Sequence, residues 1–217
     1  MRRYALNTIM VDKITSWKYT EDFTSEPEVI RRARLRADEL GIESITPSIG
    51  IQLRILARSL SAKAIVEVGT GAGVSSLWLL TASDSSVLAS IETESEHQNI
   101  AKLAFEQAAI PSSRLRLING RSVEVLTNLA DASYDLVFLD GDKETLLEQV
   151  AQSHRLLRTG GVLAIAHALW RDRVPDNQLA DESTEIYREL LETLRTHEGF
   201  TTTLLPIGDG LLIASKL

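Results

Sequence analysis

The residues best suited to chemistry in this chain cluster where short apolar runs end. Glu67, Gly69, Gly71 and Gly73 follow the β-branched run AIVEV and precede the helical stretch VSSLWLLTAS. Glycine lets the backbone turn sharply and approach a ligand, and the helix N-terminus beyond favours a polar group there. The spacing is G-x-G-x-G rather than the G-x-G-x-x-G of dinucleotide sites, and Glu67 precedes the first glycine by two residues. A carboxylate there would repel a pyrophosphate and would suit an ammonium group. Glu92 ends the next strand, VLASIE, where doubly wound folds place a carboxylate for ribose hydroxyls. The bland alternative for both acids is a place on the polar rim of a sheet. Further on, YDLVFLDGDK ends a very apolar strand in Asp140 and continues to Asp142 and Lys143. GVLAIAHALW carries His167 and Trp170.

The elements that must position these residues alternate. Strands are expected at 64–68, 87–92, 114–119, 134–140 and 161–170, with helices between them. A helix over 146–157 is expected to stop at Gly160-Gly161. Ile51, Ile55, Leu56, Ser59 and Leu60 are expected to form the inner face of a helix that starts after a break at Pro47 and Gly50. Ile100, Leu103, Ala104 and Ala108 are expected to do the same for SEHQNIAKLAFEQAAI. TTTLLPIGDGLLIASK reads as two strands around a Gly-Asp-Gly turn of structural purpose, an antiparallel pair at one sheet edge. The fold class is therefore α/β, a Rossmann-like, doubly wound and mostly parallel sheet. One domain is expected over 1–217, with a polar helical extension at 1–46 and a core at 47–217.

Composition narrows the function. The 217 residues are 44% hydrophobic and 24% charged, with a net charge of −7. Repulsion from phosphate disfavours nucleic acid, and Arg31, Arg32, Arg34 and Arg36 read as a solvated helix face. A small-molecule partner follows. The absence of cysteine excludes disulfides, thiolate nucleophiles and thiolate metal sites, and fits a cytoplasmic setting. No run approaches the ~18 apolar residues of a membrane span, and the first residues lack a signal-peptide core.

Taken in order, EVGTGAGVSSLWL, INGRSVEVL, DLVFLDGDK, LLRTGGVLAIAHALW and LLPIGDGLLIASK resemble the motifs of class I S-adenosylmethionine-dependent methyltransferases. The closer resemblance is to the catechol and caffeoyl-CoA O-methyltransferase-like family, from about Ile45 to the C-terminus. It implies a seven-stranded sheet, usually a homodimer, and S-adenosyl-L-methionine as cofactor. By position, Glu67, Gly69, Thr70 and Ser75 would contact the methionine part, Glu92 the ribose, and Gly120 and Ser122 the adenine. Ile45 or Thr46 would close the pocket. Asp140 would lie near the methionine end and a divalent metal, and Lys143 would take the acceptor's proton.

The resemblance also isolates a departure. The family's metal-binding Asp-Asn pair aligns with Ala166-His167. Alanine cannot ligate, and a histidine nitrogen suits a transition metal better than Mg²⁺ or Ca²⁺. His167 has three readings: no role, a general base or acceptor-binding group, or a ligand to a different metal beside Asp140. Asp142 could supply a replacement oxygen. Trp170 either walls an acceptor pocket or anchors the fold, Trp78 belongs to a core or an interface, and His97, His154 and His197 are expected at the surface. The expected function is methyl transfer to a small, aromatic, hydroxylated acceptor. Its rivals are a binding protein with lost or changed catalysis and an NAD-dependent oxidoreductase.

Overall fold

Alternating β-branched and apolar runs build the sheet that carries the site. The computed structural model describes residues 9–217. Its helices are α1 (Ile9–Asp22), α2 (Glu28–Glu39), α3 (Pro47–Ser59), α4 (Val74–Leu80), α5 (Ser95–Gln107), α6 (Ser122–Thr127), α7 (Leu146–Leu156) and α8 (Glu182–Thr196). Its strands are β1 (Ala64–Val68), β2 (Val87–Glu92), β3 (Leu115–Asn119), β4 (Tyr134–Leu139), β5 (Leu157–Ile165), β6 (Phe200–Leu205) and β7 (Leu211–Lys216). The part of the expected N-terminal extension before residue 9 lies outside the described residues.

The strand order is β3-β2-β1-β4-β5-β7-β6, in one seven-stranded sheet. The pairs from β3 to β5 are parallel, whereas β7 pairs antiparallel with both β5 and β6. The chain runs outward from β1 to β3 and then returns to place β4 on the other side of β1. That reversal opens a crevice beyond the carboxyl ends of β1 and β4.

Side chains alternate across the sheet and are buried on both faces. Ile65, Leu136, Phe138 and Ala164 face α3 to α5, packing with Ile49, Leu53, Trp78 and Phe105. Val66, Val137, Leu139 and Leu163 face α6 to α8, packing with Leu126, Val150, Tyr187 and Leu190. Covering both faces leaves the loops at the strand ends as the place for polar chemistry.

The structure corrects several sequence expectations. The fifth strand begins at Leu157 rather than Gly161, so Gly160-Gly161 lies inside it. Gly160 has φ +75°, and a register shift between Tyr134 and Leu136 on β4 absorbs the irregularity. The strand ends at Ile165 rather than Trp170, because His167, with φ +56°, turns the chain out of the sheet. Pro47 and Gly50 make no break. Pro47 opens α3, Thr46 caps it, and Gly50 lies against the Trp78 indole, where a Cβ would stand 2.2 Å from Nε1. The inner face of α3 is therefore Ile49, Gly50, Leu53 and Ala57, and Ile55 is exposed. On α5 the inner face is Ala101, Ala104 and Phe105, and Leu103 is exposed.

Candidate active site

The crevice becomes a cleft of about 300 Å³ whose walls come from the strand ends. Its floor is the turn after β1. Gly69 has φ +94°, and a Cβ on it would stand 2.2 Å from the Asp140 carbonyl oxygen. The turn after β1 and the end of β4 can touch only because residue 69 is glycine. The lining includes Ile45, Gly69, Thr70, Ser75, Glu92, Gly120, Ser122 and Asp140, so the structure gathers these expected residues at one site.

Glu92 is fixed at the cleft wall. Its Oε2 accepts from the Gly71 backbone N–H at 2.9 Å and its Oε1 from the Glu94 N–H at 3.0 Å. The carboxylate thus joins the glycine turn to the start of α5. His97 Nδ1 stands 3.9 Å from the same carboxylate and lines the cleft, so His97 is not the plain surface residue expected. His154 and His197 are not bare surface residues either, since both rings pack against Phe200.

Glu67 departs from the expected arrangement. It has no exposed surface and lies beneath the turn rather than in the cleft wall. Its carboxylate accepts from Ser75 Oγ and Ser90 Oγ, each at 2.6 Å, and from Ser76 Oγ. Ser90 Oγ is also within 2.6 Å of Thr70 Oγ1. Glu67 therefore reaches the cleft through Ser75 and Thr70. Burial pushes its pKa up to about 7, although the three serine hydroxyls pull the other way.

A second cavity, of about 320 Å³, adjoins the first and shares Glu43, Asp140, Gly141 and Asp142 with it. Lys143, His167, Trp170 and Tyr187 line it as well. Trp170 stacks on Tyr187, with centroids 5.0 Å apart and planes 20° apart. Lys143 Nζ sits over the Trp170 ring, 4.7 Å from its centre. The two expected catalytic residues thus share one pocket next to the cleft, with an aromatic wall between them and α8.

The His167 imidazole is gripped at both nitrogens. Nε2 is 3.2 Å from Asp140 Oδ1, and Nδ1 is 3.0 Å from Asp209 Oδ2. A carboxyl partner at each nitrogen favours donation from both, which is the imidazolium form. Burial pulls the His167 pKa down, but the hydrogen bonds to Asp140 and Asp209 outweigh it and push the value up to about 10. Burial pushes Asp140 up, opposed by its bond to His167. Asp209 is the middle residue of the Gly-Asp-Gly turn, which was expected to be structural only. Its second oxygen accepts from the Arg171 N–H at 2.5 Å, so the turn also holds the pocket loop.

Matching at the level of families agrees with this geometry. The O-methyltransferase family pattern covers residues 26–217. The chain belongs to the O-methyltransferase family. A relative from Mycobacterium sp. (strain JLS), named "Putative O-methyltransferase", is 46% identical over 199 residues, covering 91% of this chain and 90% of its own. A crystal structure of a Corynebacterium glutamicum protein is 31% identical with a TM-score of 0.85, covering 95% and 96% of the two chains. The O-methyltransferase TomG from Streptomyces achromogenes, involved in tomaymycin synthesis and solved in complex with SAM, is 25% identical. Its TM-score is 0.82, with 93% and 96% covered. Among the residues around the two cavities, the strand-end acids Glu67 and Glu92 were found by their spacing. Glu43, Tyr187 and Asp209 were not, because their partners are distant in sequence. The one available signal was an acid between two glycines at a turn.

Proposed function

We propose that this chain is an S-adenosylmethionine-dependent O-methyltransferase for a small, aromatic, hydroxylated acceptor. The observation that carries this is the pair of adjoining cavities: a cleft floored by Gly69 to Gly71 and walled by Glu92, and a pocket holding Lys143, His167 and Trp170, meeting at Asp140. The cofactor's ribose would hydrogen-bond Glu92, its adenine would lie by Gly120 and Ser122, and its methionine end by Gly69, Thr70, Ser75 and Asp140. TomG, with the same fold, holds SAM. Trp170, stacked on Tyr187, supports an aromatic acceptor by giving the pocket an aromatic wall.

Methyl transfer is an in-line displacement. The acceptor oxygen forms a bond to the methyl carbon, the carbon–sulfur bond breaks, and the sulfonium becomes a neutral thioether. The acceptor's hydroxyl proton passes to a carboxylate oxygen of Asp140, which lines both cavities, rather than to Lys143, whose Nζ lies over the Trp170 ring. Lys143 and His167 place positive charge beside the oxygen as it becomes anionic. In the resembling family a divalent ion does this work, but the residues here do not suit one. Ala166 offers no donor, both His167 nitrogens are engaged, and no cluster of three or more His, Asp or Glu suited to a metal occurs among the described residues.

The exposed apolar side chains of α1 support a homodimer, and the lack of cysteine supports a cytoplasmic setting. No helix among the described residues is long and apolar enough to cross a membrane. Calorimetric titration tests the cofactor: S-adenosylmethionine and S-adenosylhomocysteine are expected to bind the wild type, and Glu92→Ala to bind at least tenfold more weakly. Tighter binding of NADH than of S-adenosylhomocysteine would overturn the reading in favour of an oxidoreductase. Cofactor binding without methyl transfer to any member of a catechol and phenol panel would favour a binding protein.

A further inference from the structure

The acceptor pocket holds an imidazole where the resembling enzymes place an ion. We propose that the His167 imidazole, clamped between Asp140 and Asp209, takes the metal's place in this pocket. It keeps divalent metal out by holding the Asp140 oxygen that an ion would need. The inference rests on the methyltransferase reading and goes beyond it by naming what takes the metal's place.

The geometry carries the argument. Asp140 lines both the cleft and the pocket, and its Oδ1 is already engaged by His167 Nε2 at 3.2 Å. An ion bound to Asp140 would have to displace that imidazole. The imidazole cannot swing away cheaply, because Nδ1 is tied to Asp209 at 3.0 Å and the ring is mostly buried. Asp209 lies on the far side of the ring from Asp140, so the two acids cannot converge on one ion while His167 stands between them. Residue 166 is alanine and adds no oxygen, and Asp142, which could add one, spends its oxygens on the Glu144 N–H and the Thr145 hydroxyl.

The same geometry suits an acceptor. His167 Nε2 holds Asp140 Oδ1, which leaves Oδ2 to accept from an acceptor hydroxyl in the same pocket while Asp209 keeps the ring oriented. Lys143, with its Nζ over the Trp170 ring, adds a positive charge to the pocket.

The test is metal binding measured apart from turnover. Metal-stripped wild-type protein, with and without S-adenosylhomocysteine, is titrated with MnCl₂ and followed by electron paramagnetic resonance, with MgCl₂ competition. The expected result is no saturable Mn²⁺ binding at micromolar concentration in either state. The double variant Ala166→Asp/His167→Asn supplies the family's oxygen donors and removes the imidazole; it is expected to gain Mn²⁺ binding at least tenfold over wild type. Micromolar Mn²⁺ binding by the wild type that Asp140→Asn abolishes would overturn the proposal. So would a folded double variant that binds Mn²⁺ no better than wild type. If the double variant melts at once, the wild-type titration decides alone. Failure of S-adenosylhomocysteine to bind in the same samples would instead sink the methyltransferase reading, so the two failures are distinguishable.

Discussion

At the scale of single residues, Glu67 is a carboxylate buried beneath the cleft rather than lining it. Its three serine partners and full burial set a pKa of about 7 against an ordinary 4.5. A raised carboxyl pKa in the folded state means that the protonated form fits the fold better. The stability this group contributes is complete below pH 4.5 and is lost as pH rises through about 7. The loss is on the order of 3 kcal/mol. Glu67→Gln keeps the shape and removes the charge. The wild type's melting temperature is expected to fall between about pH 5 and about pH 8, while that of Glu67→Gln stays level and exceeds wild type at the upper end. Parallel pH curves for the two proteins would show that Glu67 ionises normally. Cofactor affinity is expected to drop in the same variant, because the ammonium end loses a negative charge beneath the turn.

At the scale of elements, what could be read in the sequence depended on whether the deciding contact was local. The turn after β1 was legible because Glu67, Gly69 and Gly71 act within a few residues of one another. Glu92 and Asp140 were legible because strand ends in a doubly wound sheet converge by topology. The inner faces of α3 and α5 were misplaced for a packing reason. Gly50 and Ala57 go inward because Trp78 needs room, which hydrophobicity alone cannot register. The end of β5 was misplaced because its successor loop is held from 42 residues away, at Asp209. That loop carries positive φ at His167, Trp170, Arg171 and Asp172, a strained path for side chains with a Cβ. The β6–β7 turn pins it: Ala168 N–H donates to the Gly210 carbonyl, Leu169 N–H to the Asp209 carbonyl, and Arg171 N–H to the Asp209 carboxylate. Asp209→Ala removes the side-chain half of that anchor and should cost about 1–3 kcal/mol. Hydrogen exchange is expected to accelerate at the Arg171 amide while β7 amides stay protected. Unchanged exchange at Arg171 would show that the backbone bonds alone hold the loop.

At the scale of the whole molecule, the sheet buries apolar surface on both faces, yet α1 keeps Ile14, Trp17 and Tyr19 exposed, and Phe23 just beyond it is exposed as well. The helix is nonetheless tethered. Glu21 accepts from Ser48 Oγ at 2.5 Å and from the Gly208 N–H at 2.7 Å, joining α1 to α3 and to the β6–β7 turn. A helix fixed in place with large apolar side chains turned outward presents a surface that water disfavours, and a second copy of the chain would cover it. Light scattering coupled to gel filtration is expected to give twice the 24.0 kDa chain mass. Trp17→Glu combined with Phe23→Glu places charge on that face while leaving the Glu21 tether and the cleft untouched. The double variant is expected to elute at the single-chain mass and to retain cofactor binding. A wild-type mass of 24.0 kDa at high protein concentration would refute the dimer. A double variant that stayed dimeric would move the interface off α1. Because α1 is tied through Glu21 to Thr46 and Ser48 at the start of α3, and Ile45 beside them lines the cofactor cleft, association on this face would also steady the cleft's rim.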